Sequence, residues 1–91
     1  MEIEKLPITL EVLTSLGCAH CHAFLEFWKK DGSTWPNVTM KEVSLLTAEG
    51  QAMVGKYSIF ASPGIIVNEE LFSTGGFDKK KLIEKIEALS Q

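Results

Sequence analysis

Ninety-one residues, 45% hydrophobic and 23% charged, fit one folded domain spanning 1–91 and leave no room for a second. Nine lysines, no arginine and twelve acids give a formal net charge of −3, so nucleic acid, which calls for a clustered basic face, is not an expected partner. No apolar run approaches the roughly 20 residues of a membrane span, and Met1 to Pro7 show no basic stretch followed by an apolar one. A soluble, cytoplasmic, monomeric protein without membrane attachment is expected.

Ile8 to Thr14 alternates Ile8, Leu10 and Val12 against Thr9, Glu11 and Leu13, which predicts a strand with one strongly apolar face. From Cys21 the apolar positions fall at Cys21, Phe24, Leu25 and Trp28, the spacing of an amphipathic helix, and Asp31-Gly32-Ser33 supplies a stop. Asn37 to Leu45 predicts a second strand, alternating through Val38 and Met40 and, after a shift, through Val43 and Leu45. Thr47 can cap a short helix running to Tyr57. Gly50 and Gly55 weaken it by up to ~1 kcal/mol each, so packing from Ala52, Met53 and Tyr57 is needed to hold it.

Pro63 to Asn68 is a nearly continuous apolar run, as expected of a central strand, and Leu71 to Thr74 follows the turn residues Asn68-Glu69-Glu70. Gly75-Gly76 breaks that hairpin, Asp78 can cap, and Leu82, Ile83, Ile86 and Leu89 form the stripe of a last helix. The order β-α-β-α-β-β-α implies an α/β fold: a parallel pair joined by a right-handed crossover, an antiparallel pair, and a mixed four-stranded sheet flanked by helices. Phe24, Trp28, Phe60 and Phe72 are assigned to the core, and Trp35 is either a lid over the core edge or a contact residue.

The chemistry concentrates in Cys18-Ala19-His20-Cys21, which holds both cysteines of the chain. Two cysteines are too few for a secreted disulfide scaffold, which leaves a redox pair, a metal clamp or two buried thiols. At the start of the helix, unpaired N–H groups and the positive end of the helix dipole favour a thiolate at Cys18. His20 adds a donor and, when protonated, a positive charge. Cys21 lies one turn further on, on the apolar stripe, where it is shielded and placed to resolve a mixed disulfide formed at Cys18. For metal, Cys18 and Cys21 with His20 or His22 offer soft ligands for zinc or copper(I), without a second ligand pair elsewhere. His22 is four residues before Glu26, a spacing for a solvated ion pair.

The chain resembles the thioredoxin-like superfamily over nearly its whole length, on Cys18-Ala19-His20-Cys21 after the first strand, Lys56 to Pro63, the strand from Pro63 to Asn68, and Gly75-Gly76 before the last helix. The resemblance implies a thioredoxin-like fold and a thiol–disulfide oxidoreductase whose only redox centre is the Cys18/Cys21 pair. It implies a cis Pro63 facing the dithiol, and a backbone at Ser62 that pairs with an extended substrate. The partners implied are disulfide-bearing proteins, with a thioredoxin reductase or glutathione as electron donor.

The motif departs from Trp-Cys-Gly-Pro-Cys of thioredoxins proper and from Cys-Pro-Tyr-Cys of glutaredoxins, and His20 is similar to the histidine of oxidising periplasmic members. Potentials across the superfamily run from about −270 to −120 mV, so the motif fits a reductant and an oxidant alike. The buried acid that assists thioredoxins would fall near Val12, where Glu11, the one acid, is out of phase with the apolar face. Gly75, Gly76 and Asp78 resemble the segment with which glutaredoxins hold glutathione at a helix N-terminus, although a turn and an N-cap account for the same residues. Lys79, Lys80 and Lys81 are either a docking patch for an anionic ligand or acidic partner, or a solvated face.

Overall fold

Alternation along β1 (Ile8–Thr14) sets the layout of the computed structural model, which describes residues 6–91. The expectation for Met1 to Lys5 lies outside the described residues. β1 is central in a sheet of order β2-β1-β3-β4, with β2 (Val38–Ser44), β3 (Gly64–Val67) and β4 (Glu70–Thr74). It pairs parallel with β2 and antiparallel with β3, and β3 pairs antiparallel with β4. Three helices, α1 (Ala19–Asp31), α2 (Ala48–Tyr57) and α3 (Lys79–Leu89), flank this mixed sheet, as the sequence predicts.

Ile8, Leu10 and Val12 of β1, with Ile65 and Val67 of β3, face α1 and α3 and pack with Phe24, Phe27, Leu82 and Ile86. Full burial of such side chains stabilises by ~1.5–3 kcal/mol each. The opposite face has its own core of Leu13, Val43 and Ile66, covered by Met53 of α2 and by Ile59. Leu13 therefore breaks the one-faced expectation for β1. α2 crosses the upper half of the second face, so that half is apolar, while Thr9 lower down is exposed.

The shift expected in β2 has the same origin. Its register with β1 is continuous from Ile8↔Val38 to Thr14↔Ser44; what changes is the covered face, from α1 over Val38 and Met40 to α2 over Val43 and Leu45.

Local signals fix the ends of the elements. Thr47 caps α2 by accepting from the Gly50 N–H at 3.0 Å, and Asp78 caps α3 by accepting from the Lys81 N–H at 3.1 Å, each cap contributing about 1 kcal/mol. The β3–β4 turn places Asn68 and Glu69 both at positive φ, the combination of a type I′ hairpin turn. Gly50 is buried, and a Cβ there would collide with the Ser44 carbonyl oxygen, so this glycine lets α2 approach β2.

Several packing expectations are corrected. Ala52 is exposed, and Val54 with Tyr57 and Met53 holds α2 instead. Phe60 is 89% exposed rather than core: Ser58 ends α2 in the left-handed region, Ile59 takes the core position, and the next side chain points outward. Phe24 is fully buried, while Trp28, Phe72, Ile83 and Leu89 are half-buried around the first core. Trp35 belongs to that core, 5% exposed and stacked on Trp28 at 6.0 Å between ring centroids.

Candidate functional site

Parallel pairing of β1 with β2, and the antiparallel return of β3, bring three segments to one end of the sheet: the turn after β1, the loop after β2, and the loop before β3. The first carries Ser15, Leu16, Gly17 and Cys18. Gly17 has φ +69, a left-handed conformation that glycine adopts without strain as the chain turns from strand to helix.

Cys18 is the N-cap of α1, in extended conformation, and its Sγ accepts from the Cys21 N–H at 3.1 Å. One orphan donor of the helix is thus directed at the sulfur, the arrangement that favours negative charge there. Cys18 is half-buried and Cys21 is 3% exposed, in the sense expected from the helix stripe. The two are joined as a disulfide with Cα atoms 5.2 Å apart, within the range that needs no backbone rearrangement. Among the described residues, no group of three or more His, Cys, Asp or Glu is arranged to hold a metal.

Ser62 and Pro63 stand beside this turn. Leu13 pairs with Gly64, and continuing that register brings the Ser15 and Ser62 hydroxyls to 2.5 Å. The Ser62–Pro63 peptide bond is cis and Pro63 is buried. Gly75 joins the same end: its N–H donates to the Pro63 carbonyl at 3.0 Å, and the Thr74 hydroxyl donates to the Ala61 carbonyl at 2.7 Å. Gly76 follows half-buried, and the Asp78 carboxylate is engaged in capping α3.

His20 is exposed in the first turn of α1. His22 is the imidazole that lines the cleft beside Cys18, Cys21, Thr14, Leu25 and Glu42, and it lies 3.8 Å from Glu26, with both side chains largely exposed. Lys79 is spent on Asp31 at 3.7 Å and on the Phe27 ring, while Lys80 and Lys81 are exposed.

Leu16, at 84% exposure, lines the dithiol cleft, and Phe60 shares a neighbouring cleft with Ala61 and Ser62; the sequence reading singles out neither for the site. The signal available for Phe60 was its place three residues before Pro63, in the same loop as Ser62. Glu42 was missed as well, and its signal is a carboxylate on the β2 face that Val38 and Met40 share.

A family model described as a thioredoxin domain matches residues 8–88. The chain belongs to the thioredoxin family. Thioredoxin O2 from Arabidopsis thaliana, solved in its oxidised state, superposes with a TM-score of 0.74 at 18% identity, over 93% of this chain and 76% of that one. The thioredoxin of Fasciola hepatica gives a TM-score of 0.74 at 19% identity, over 93% of this chain and 83% of that one. Such identities show the thioredoxin fold. Among curated proteins none matches. The thioredoxin fold and the Cys18–Cys21 disulfide together support thiol–disulfide oxidoreductase chemistry in general.

Proposed function

We propose that this thioredoxin-family chain exchanges its Cys18/Cys21 dithiol with disulfides of protein substrates in a reducing, cytoplasmic setting. The observation that carries the reading is the asymmetry of the pair: Cys18 half-buried at a helix N-cap with an N–H aimed at its sulfur, Cys21 buried one turn on.

In the reduced protein, the Cys18 thiolate attacks a substrate disulfide, forming a Cys18–substrate disulfide and releasing one substrate thiolate. Cys21 then attacks the Cys18 sulfur. The internal disulfide forms, the second substrate sulfur departs as a thiolate, and two electrons have passed to the substrate. His20 tunes the Cys18 thiolate from the first turn, and the Ser62 backbone beside Pro63 offers an edge for an extended substrate. A thioredoxin reductase is the electron donor of this reading.

A second, glutaredoxin-like reading uses glutathione as substrate and donor. It draws on the position of Gly75, hydrogen-bonded to the Pro63 carbonyl and so adjoining the segment beside the dithiol. The two are separated by presenting the reduced protein with a disulfide-bonded protein and, separately, with a protein–glutathione mixed disulfide. Faster reduction of the first supports the thioredoxin-like reading; faster reduction of the second supports the glutathione one. Cys18→Ser abolishes either activity, and activity that survives it contradicts both.

A further inference from the structure

Resting on the oxidoreductase reading, the question is how Cys21 loses its proton. Burial in apolar surroundings disfavours a thiolate, yet the thiolate is the attacking species. When Cys18 is engaged in a mixed disulfide it cannot accept that proton, so an acceptor must be supplied by the cleft.

β2 supplies a carboxylate. Val38 and Met40 pack into the α1-side core, and Glu42 is the next residue on that face, where the alternation calls for an apolar side chain. It stands opposite Val12 in the β1–β2 register. Its Oε2 accepts a hydrogen bond from the Thr14 Oγ1 at 3.0 Å. Thr14 is 6% exposed, whereas Glu42, on an edge strand, is exposed. Thr14, Glu42 and Cys21 line one open cleft of about 580 Å³, shared with Cys18.

A hydroxyl that donates its one hydrogen keeps two lone pairs. Thr14 therefore keeps acceptor capacity in the cleft it shares with Cys21 while its hydrogen is committed to Glu42. We propose that Glu42, positioned by Thr14, is the proton acceptor for Cys21 in the resolving step, an assignment from the neighbouring strand to a role that no acid on β1 is in phase to fill. The Cys21 proton passes to the Thr14 oxygen as the Thr14 proton passes to Glu42. The Cys21 sulfur forms its bond to Cys18, the Cys18–substrate bond breaks, and its electron pair leaves on the substrate sulfur. Glu42 then gives its proton to water at the sheet edge.

The other titratable groups at this cleft are Cys18, the N-cap of α1, and His22 in its first turn. β1 contributes Thr14 and the turn after it Ser15, neither of which ionises in this range. Lys41 projects to the other face, where the Glu49 carboxylate, at 2.6 Å, and the charge of Glu11 hold its ammonium above the usual lysine range.

The test is reaction of the reduced protein with an aromatic disulfide whose two thiolates are released in sequence, the first by Cys18 and the second by Cys21. Glu42→Gln leaves the first phase intact, slows the second about 100-fold at neutral pH, the scale of general-base help, and moves its pH profile to the alkaline side. Glu42→Asp restores part of the rate, and Thr14→Val slows the second phase alone. A Glu42→Gln protein with an unaltered second phase and pH profile overturns this inference alone. So does a loss of that size in His22→Ala with none in Glu42→Gln. Absence of the first phase in the unmutated protein overturns the oxidoreductase reading and this inference with it.

Discussion

The hydroxyls of Ser15 and Ser62 meet at 2.5 Å across 47 residues of chain. One lies three residues before Cys18 and the other immediately before Pro63, so this contact ties the dithiol turn to the loop beside it. Ser15→Ala and Ser62→Ala are each expected to cost ~0.5–1.5 kcal/mol. Because they delete one interaction, the double variant should lose little more than the worse single. Urea denaturation of the four proteins checks this, and additive losses would contradict it.

Phe60 is a large apolar side chain held in water, 89% exposed, in the loop that carries Ser62. Phe60→Ser should therefore leave stability within about 0.5 kcal/mol of the parent. It should slow reduction of a protein disulfide about tenfold, equivalent to losing one modest contact of about 1.4 kcal/mol. Reduction of a small soluble disulfide, which does not reach Phe60, should be unchanged. Equal slowing of both substrates would show that the effect is not one of docking.

His20 is assigned to stabilising the Cys18 thiolate. His20→Ala in a Cys21→Ser background should raise the Cys18 pKa, read from thiolate absorbance against pH. Loss of thiolate stabilisation destabilises the reduced form, so the same change with both cysteines present should make the dithiol more reducing. An unmoved titration would remove His20 from the site.

The glycines of α2 should respond in opposite directions. At Gly55 nothing lies within 4 Å of where a Cβ would stand, so Gly55→Ala should stabilise, by ~0.5–1 kcal/mol. At Gly50 the Cβ would run into the Ser44 carbonyl. Gly50→Ala should destabilise by ~1–3 kcal/mol despite the better helix former. Thermal melts of the two variants decide it.

Much of this was legible in the chain because local chemistry set it. The Ile8–Thr14 alternation, the Thr47 and Asp78 caps, and the placement of Cys18 ahead of Cys21 each depend on a few neighbouring residues. Leu13 departs from the expectation where one helix covers only part of a sheet face: α2 spans that end of the sheet, which alternation along one strand does not reveal, and the same partial cover underlies the expected shift to Val43 in β2. Phe60 reads as a core residue in the sequence, and a single left-handed residue at Ser58 turns it out to solvent.

Glu42 shows the same limit at the site. It is 21 residues from Cys21 in sequence, and only the β1–β2 register and the lie of α1 bring both to one cleft. Serine, proline and glycine at positions 62, 63 and 75 were legible from order along the chain; their hydrogen bonds to one another and to Ser15 came from strand register.

Attack by Cys18 and resolution by Cys21 are separated by mixing reduced Cys21→Ser protein, and separately reduced Cys18→Ser protein, with a disulfide-bonded substrate protein and measuring the intact mass of the products without reductant. A stable one-to-one mixed disulfide through Cys18 is expected in the first and little or none in the second. Equal trapping through Cys21, or no covalent adduct with either variant, would contradict that division of roles.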